Sequence, residues 1–445
     1  MLDRLSSLET FGIKLGLENI SRLCEALGRP ERSFTTLHVA GTNGKGSVTA
    51  MVHAALRAAG LRSARYTSPH LADITERFVI GDAVVDTSVF NAVAHEVLDL
   101  SDRLVADGTL RVLPTFFEAT TAIAFELFRR AGTEIAVIEV GLGGRFDATN
   151  VITPVAGAIT TIGFDHQQHL GTTLGEIAFE KAGIIKPGMH VVTGDLPPSA
   201  IEVVRRVAME RGAVLLETAH DSRVAAEAVE GAALLEERVT IDTPNARYGP
   251  LTLALRGDHQ IGNAVVAARL LESAAAGGVA VAAAHIEAGL TTAHWPARLE
   301  YVQADGQRRV LLDSAHNAEG AGALAAHLRR WHPDHPPLVL GIMRDKDVYE
   351  ILAPLLPLTS RVIATSAPTP RALPADELAA RVRTAAERLG LSASLSVEVD
   401  DDPLHAVDRA LESARLACVA GSIFLVGPVR ERLLARAAVP APPPA

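Results

Sequence analysis

Two spacings of apolar residues alternate along this chain: short unbroken apolar runs, and longer stretches in which apolar residues return every third or fourth position. The first spacing marks buried strands; the second marks helices with one apolar face. The two join in Leu37-His-Val-Ala-Gly41-Thr-Asn-Gly44-Lys45-Gly46-Ser47, after which Val48, Met51, Val52, Ala55, Leu56 and Ala59 line one helical face up to Gly60. That order predicts strand, tight glycine turn, helix. Upstream, residues 1–36 predict an amphipathic helix around Ile20, Leu23 and Leu27. Downstream, a helix follows Pro114 with Phe117, Ile123, Phe125 and Phe128, strands are expected at 135–139 and 155–162, and Thr173-Leu-Gly-Glu176 is a capping box opening another helix.

Between 223 and 258 short β segments at 239–243 and 251–255 flank a Pro-Asn-Ala-Arg-Tyr-Gly turn. Gln260-Ile-Gly-Asn263 then opens an Ala-rich helix, with Asn263 as a plain N-cap when read alone. From about 292 the alternation restarts with a hairpin tipped by Asp305-Gly306 and strand-like runs at 310–312, 337–342, 360–365, 395–399 and 423–426. Alternating strand and helix implies α/β sheets with right-handed crossovers, and 445 residues exceed what one core usually supports.

The polar residues that interrupt this pattern fall at the carboxyl ends of apolar strands, where open α/β sheets place their ligands. In Gly41-Thr-Asn-Gly44-Lys45-Gly46-Ser47 the glycines let backbone N–H groups close on phosphate oxygens, and the helix N-terminus adds partial positive charge. Lys45 would reach the terminal phosphates and Ser47 would sit beside magnesium. The loop departs from G-x-x-x-x-G-K-[ST] at Val39 and Gly46, so a glycine-rich turn with an exposed lysine is the competing reading. Glu139 ends an apolar strand, where a carboxylate is costly unless paired or bound to a cation; it is a magnesium candidate or half of an ion pair. Tyr66-Thr-Ser68-Pro-His-Leu71 reads alone as a simple turn, His166 as a hydrogen-bonded structural residue and Lys181 as a solvated helix charge. Taken together, Glu139, His166 and Ser68 favour a metal site.

Composition narrows the partners. Hydrophobic residues at 48% with 21% charged are those of an ordinary globular protein, and a net charge of −10 argues against broad nucleic-acid or anionic-membrane binding. An acidic substrate therefore needs locally placed Arg, Lys or metal. Cys24 and Cys418 lie far apart without metal-ligand spacing and read as packing residues. The first residues lack a signal-peptide pattern and no apolar run reaches membrane-spanning length, so the cytoplasm is expected.

The run from His38 to Ser47, Tyr66–Leu71, Phe117-Glu118, Glu139-Val-Gly-Leu-Gly-Gly-Arg-Phe-Asp-Ala-Thr-Asn150, Asp165-His166, Glu180-Lys-Ala-Gly183, Asp258-His-Gln-Ile-Gly-Asn263, Trp295-Pro-Ala-Arg298, Asp313-Ser-Ala-His-Asn317 and Asp345-Lys-Asp347 together resemble the dihydrofolate synthase/folylpolyglutamate synthase family of the Mur ligase superfamily. The motifs run in order from about 11 to 430. The resemblance implies an N-terminal P-loop-like ATPase domain of the Mur ligase central type over 1–292 and a smaller C-terminal Rossmann-like α/β domain over 293–437, with a disordered proline-rich tail at 438–445. It implies that ATP phosphorylates a pteroate or folate carboxylate, that the α-amine of L-glutamate attacks the acyl phosphate, and that an amide forms as phosphate leaves.

Carried over position by position, Gly44, Lys45, Gly46 and Ser47 match the phosphate loop, and Ser68, Glu139 and His166 match the ligands of magnesium, of which two ions are expected. Hard magnesium prefers oxygen, so His166 is the least expected ligand on chemistry alone. Lys181 matches a lysine carried as a carbamate, an anion able to bind the second ion. Asn263, Arg298 and Asp313 match contacts to ATP, and closure of the second domain would deliver Arg298 from the linker to the γ-phosphate. The folate side matches Ile13, Lys14 and Leu15, Thr115, Phe116, Phe117 and Glu118, and Phe146, Asp147 and Ala148; Arg145 is a candidate for a substrate carboxylate. His316 and Ser422 match second-domain positions associated with glutamate and catalysis. A monovalent cation is a further candidate, a monomer is expected, and neither nucleic acid nor membrane is a partner.

Ala297 and Ser314 stand where the family usually has glycine, and Phe146 where it often has leucine. None removes a charge or a metal donor. A monofunctional folylpolyglutamate synthase is the alternative within the same class, and a catalytically inactive nucleotide-binding regulator is the alternative outside it. Damage among Lys45, Glu139, His166, Lys181 and Arg298 would mark the latter, and all five are intact.

Overall fold

Parallel strands separated by helices build two sheets, one in each of two compact units of this computed structural model, which describes residues 2–8, 16–228 and 237–438. The first unit comprises Met1–Ala254 and Gln260–His294, the second Leu255–His259 and Trp295–Ala445. Of the tail expected at 438–445, Ala438 instead ends the helix Ile423–Ala438, and residues 439–445 lie outside the described residues, as do Ile13, Lys14 and Leu15.

In the first unit the strands are β1 (Thr35–Ala40), β2 (Ser63–Tyr66), β3 (Phe78–Ile80), β4 (Ala83–Val84), β5 (Ile135–Glu139), β6 (Ala156–Ile159), β7 (His190–Thr193) and β8 (Val214–Glu217). They lie in the order β4-β3-β2-β5-β1-β6-β7-β8, parallel except for β3 and β4. β1 thus sits between β5 and β6, its neighbours leading away in opposite directions. That is a topological switch point, and the carboxyl ends of β5, β1 and β6 share one edge. β1 and β5 are almost wholly buried, as strands covered on both faces must be.

The apolar helix faces read from the sequence cover this sheet. Phe90 of the helix Thr87–Ala106 and Phe125 and Phe128 of the helix Phe116–Arg130 pack with Phe34, Tyr66 and Phe78 in one cluster. A second cluster joins Ile159 and Val191 to Ile177 and Val204 of the helices Leu174–Ala182 and Pro198–Glu210. Each such buried side chain contributes about 1.5–3 kcal/mol relative to exposure. The expected capping box forms, with Thr173 and Glu176 starting one helix, and Thr115 and Glu118 start another in the same way. Glycine at 289 lets the helix Ala283–Thr292 close on Lys45–Ala58, where a Cβ would stand 2.7 Å from the Met51 carbonyl.

β9 (Arg223–Ala228), β10 (Glu237–Asp242) and β11 (Arg247–Leu251) make a small antiparallel sheet. The strand expected at 251–255 is instead β11, because Thr243 Oγ1 accepts the Asn245 and Ala246 amides and closes the turn early. Tyr248 donates to Glu272, which also pairs with buried Arg269, so this sheet is tied to the helix Asp258–Ala276. Asn263 lies inside that helix and does not cap it.

The second unit is a six-stranded sheet of β12 (Glu300–Asp305), β13 (Arg308–Leu312), β14 (Leu338–Leu340), β15 (Arg361–Ala364), β16 (Ser396–Val399) and β17 (Leu416–Ala420), ordered β12-β13-β17-β14-β15-β16. All neighbours are parallel except β12 and β13. Asp305 pairs with Arg308, so the hairpin turns on Gly306 and Gln307, one residue later than expected. The strand expected at 423–426 is the start of the helix Ile423–Ala438, because Gly421 at φ 107° turns the chain and the Ser422 hydroxyl accepts the Phe424 amide. Cys24 and Cys418 are buried, and burial pushes both thiols up. Among the described residues no helix is long and apolar enough to cross a membrane.

Candidate functional site

The turn after β1 is shaped by residues that the apolar pattern does not show. Thr42 N donates to the Thr161 carbonyl (2.8 Å), Asn43 N to the Thr161 hydroxyl (3.0 Å), and the Thr160 hydroxyl to the Asn43 carbonyl (2.5 Å). The strand expected over 155–162 includes Thr160 and Thr161, but β6 stops at Ile159 and leaves both to hold the loop. Gly41 and Gly44 have φ of 149° and 83°. A Cβ at Gly44 would overlap Asn263 Oδ1 and stand 3.1 Å from its Cγ. Asn263 is buried and donates to Gln260 Oε1 (2.9 Å), so its carboxamide is fixed against the turn.

Gly44 caps the helix Lys45–Ala58 without a side-chain bond, leaving its first amides oriented outward as an anion cradle. Lys45 Nζ curls back onto the carbonyls of Gly41 and Thr42, 3.0 Å from each, and Ser47 is buried at the same end. An exposed lysine is therefore not what the structure shows.

The neighbouring strand ends bring the acidic group into place. In register Val39 faces Glu139, and Glu139 is 4% exposed. Its Oε2 accepts the Ser68 amide at 3.1 Å, so the loop after β2 and the end of β5 meet. Arg65 lies near enough for Glu139 to oppose the burial that lowers its guanidinium to about 10. Lys181 is 5% exposed and donates to the Gly41 carbonyl at 2.8 Å, so it is a buried loop contact and not a solvated helix charge. His166 has φ 51° and an exposed ring 3.8 Å from Asp165. Among the described residues no group of three or more His, Cys, Asp or Glu side chains is placed to hold a metal ion. The donors at this edge are oxygens, a carboxylate at 139 and hydroxyls at 47 and 68, a set that suits a hard cation sharing phosphate oxygens.

On the folate side Thr115 and Glu118 are engaged with each other: Glu118 Oε2 accepts the Thr115 amide at 2.8 Å. Glu118 Oε1 is buried with no partner among the described residues. Phe117 stacks on Tyr66 (6.1 Å between centroids) and fills the space over Gly141, where a Cβ would overlap its ring. The Arg77 guanidinium lies 5.2 Å over Phe116. Asp147 is buried, which raises its carboxyl pKa, while the Thr149 hydroxyl and the amides of Leu142 and Thr149 favour the anion. Those contacts make it the brace of the glycine loop next to buried Ala148. Arg145 pairs with Glu180 at 2.5 Å and lies over the rings of Phe146 (4.2 Å) and Phe179 (5.0 Å).

In the second unit Asp313 follows β13. Its two oxygens accept the amides of Leu299 and Ala315, each at 2.9 Å, and it is 6% exposed. Arg298 donates to its own neighbour's carbonyl at Ala297 (3.0 Å). His316 Nδ1 donates to the Ser314 carbonyl at 2.9 Å, which fixes the ring beside this loop. Gly421 N donates to the Ala315 carbonyl, which sets Ser422, 1% exposed, beside this loop. Sequence reasoning missed Thr160, Thr161, Gln260, Glu300 and Arg430, all of which act on backbone or on other side chains.

The family model for the Mur ligase middle domain matches residues 87–271, and that for the Mur ligase glutamate ligase domain matches 297–427. The chain is 34% identical over 426 residues to the dihydrofolate synthase/folylpolyglutamate synthase of Bacillus subtilis, covering 95% of this chain and 96% of that one. It superposes with a TM-score of 0.87 on the Mycobacterium tuberculosis folylpolyglutamate synthase complexed with ADP, at 32% identity over 97% of this chain and 98% of that one. Escherichia coli FolC in complex with DHPP and ADP gives 0.84 at 28% identity, covering 98% of each.

Proposed function

This chain belongs to the Mur ligase family, in its dihydrofolate synthase/folylpolyglutamate synthase branch, and from that premise we propose how its site works. It is an ATP-dependent ligase that joins L-glutamate to folates, and the bifunctional reading fits best: dihydropteroate gives dihydrofolate, and tetrahydrofolate gives polyglutamates. The observation that carries the assignment of the site is the single sheet edge holding the Gly41–Gly44 turn, Glu139 and the Ser68 loop.

A carboxylate is a poor electrophile until one of its oxygens carries phosphate. Attack of that oxygen on the γ-phosphorus releases ADP; the glutamate amine then adds to the acyl carbon, loses a proton and expels phosphate. Bringing a carboxylate to a triphosphate concentrates negative charge, and preorganised donors and cations must offset it. We assign the amides of Lys45, Gly46 and Ser47 and the Lys45 ammonium to the phosphates, Asn263 and Asp313 to the rest of the nucleotide, and Arg298 to the transferring phosphate. Glu139 and Ser68, with His166 and a carbamylated Lys181, would hold magnesium, which when bound supplies charge neutralisation. Thr115–Glu118 and Arg145–Ala148 form the folate side, and His316 with Ser422 serves the glutamate side. The same reading places the protein in the cytoplasm as a monomer.

The test is glutamate-dependent ADP release with magnesium, using 7,8-dihydropteroate and tetrahydrofolate as separate acceptors and identifying each product by mass. Turnover with both is expected. Turnover with tetrahydrofolate alone would make it a monofunctional synthase, and none with either would overturn the reading.

A further inference from the structure

Both neighbours of Arg298 are left-handed, Ala297 at φ 56° and Leu299 at φ 47°. Residues with a Cβ hold that conformation only where their surroundings over-determine it. Here three bonds do so. Ala297 N donates to Glu300 Oε2 (2.8 Å), Ser314 N donates to the Ala297 carbonyl (3.0 Å), and Leu299 N donates to Asp313 Oδ2 (2.9 Å). Ala297 and Leu299 are fully buried, while Arg298 between them is not. Glu300 is itself clamped. Arg430, on the helix Ile423–Ala438, donates through Nε to Oε2 (2.7 Å) and through Nη2 to Oε1 (2.9 Å), a bidentate fork with both side chains about one-fifth exposed.

We propose that Glu300 and Arg430 are positioning residues for Arg298. Arg430 fixes the carboxylate, the carboxylate fixes the Ala297 amide, and the strained backbone then presents Arg298 in one direction. Alanine at 297 makes this clamp necessary, because glycine would adopt φ 56° without strain and this chain lacks it. The inference rests on the reading of Arg298 as the cation at the transferring phosphate.

The experiment measures kcat and KM for ATP in the full-length enzyme, with saturating tetrahydrofolate and glutamate. The variants are Arg298→Ala, Glu300→Ala, Glu300→Gln, Arg430→Gln and each of the last three combined with Arg298→Ala. Glu300→Ala should lower kcat by roughly 30–100-fold, the scale of a misplaced catalytic group, with a smaller change in KM. Arg430→Gln should cost about 3–10-fold, and Glu300→Gln less than Glu300→Ala because it still accepts the Ala297 amide. In the Arg298→Ala background each change should cost less than about threefold. Equal factors in both backgrounds, or full kcat in Glu300→Ala, would overturn the proposal. Should Glu300→Ala not fold, the two conservative variants complete the same cycle. Near-normal turnover of Arg298→Ala would instead sink the underlying assignment of that arginine.

Discussion

Replacing Gly44 by alanine tests the phosphate turn through two separable costs. At φ 83° an L-residue pays about 1–2 kcal/mol, of which roughly 0.5–1 is returned by the stiffer unfolded chain. The larger cost is the overlap with Asn263, whose Oδ1 would be struck and whose Cγ and Nδ2 would lie 3.1 and 3.3 Å away. Asn263 must then swing and give up its buried bond to Gln260, worth about 1–3 kcal/mol once a buried group is left unsatisfied. The sum is about 1–4.5 kcal/mol. With an m value of about 3 kcal/mol/M, the urea midpoint of the first unit should fall by roughly 0.3–1.5 M. Displacing one amide from the cradle should raise KM for ATP about tenfold, the worth of a charge-assisted hydrogen bond. In an Asn263→Ala background the overlap is gone, and the stability cost should shrink to about 1 kcal/mol or less. An unchanged midpoint in Gly44→Ala would refute the left-handed turn, and an undiminished cost beside Asn263→Ala would refute the contact.

Lys181→Ala should lose most turnover, with no recovery on adding bicarbonate; normal turnover would remove Lys181 from the site. Burial, with the cations Lys186 near His38 and Arg65 near His53, lowers both imidazoles to about 3, against about 6.5 when unfolded. Between those values the unfolded chain binds more protons, so this stability is fully present above pH 6.5 and is lost as pH falls toward 3. These two imidazoles alone contribute a slope that approaches about 2.7 kcal/mol per pH unit, two protons at about 1.36 each, and equal urea midpoints at pH 7 and pH 5 would contradict it.

The amino-acid sequence by itself determined the alternation that makes two α/β sheets, the strand–turn–helix around Gly41–Ser47, the capping box at Thr173–Glu176 and the family. These are local patterns: spacing sets which face of an element is apolar, and glycine, threonine and glutamate act on backbone a few residues away. It also named Glu139 as a buried carboxylate, because its own strand is apolar throughout. Tertiary structure alone decided which strand ends meet. That β1 lies between β5 and β6 puts Glu139 and Thr160 beside one turn, although about 100 residues separate each from it, and no periodicity records that pairing. Reading Lys181 alone as a solvated charge fails for the same reason, since the carbonyl it binds at Gly41 is 140 residues away. The Glu300–Arg430 clamp spans 130 residues and acts on a backbone amide, so nothing in the local composition around Arg298 announces it. Elements follow from neighbours along the chain; a site follows from neighbours across the sheet, and only the packed sheet supplies those.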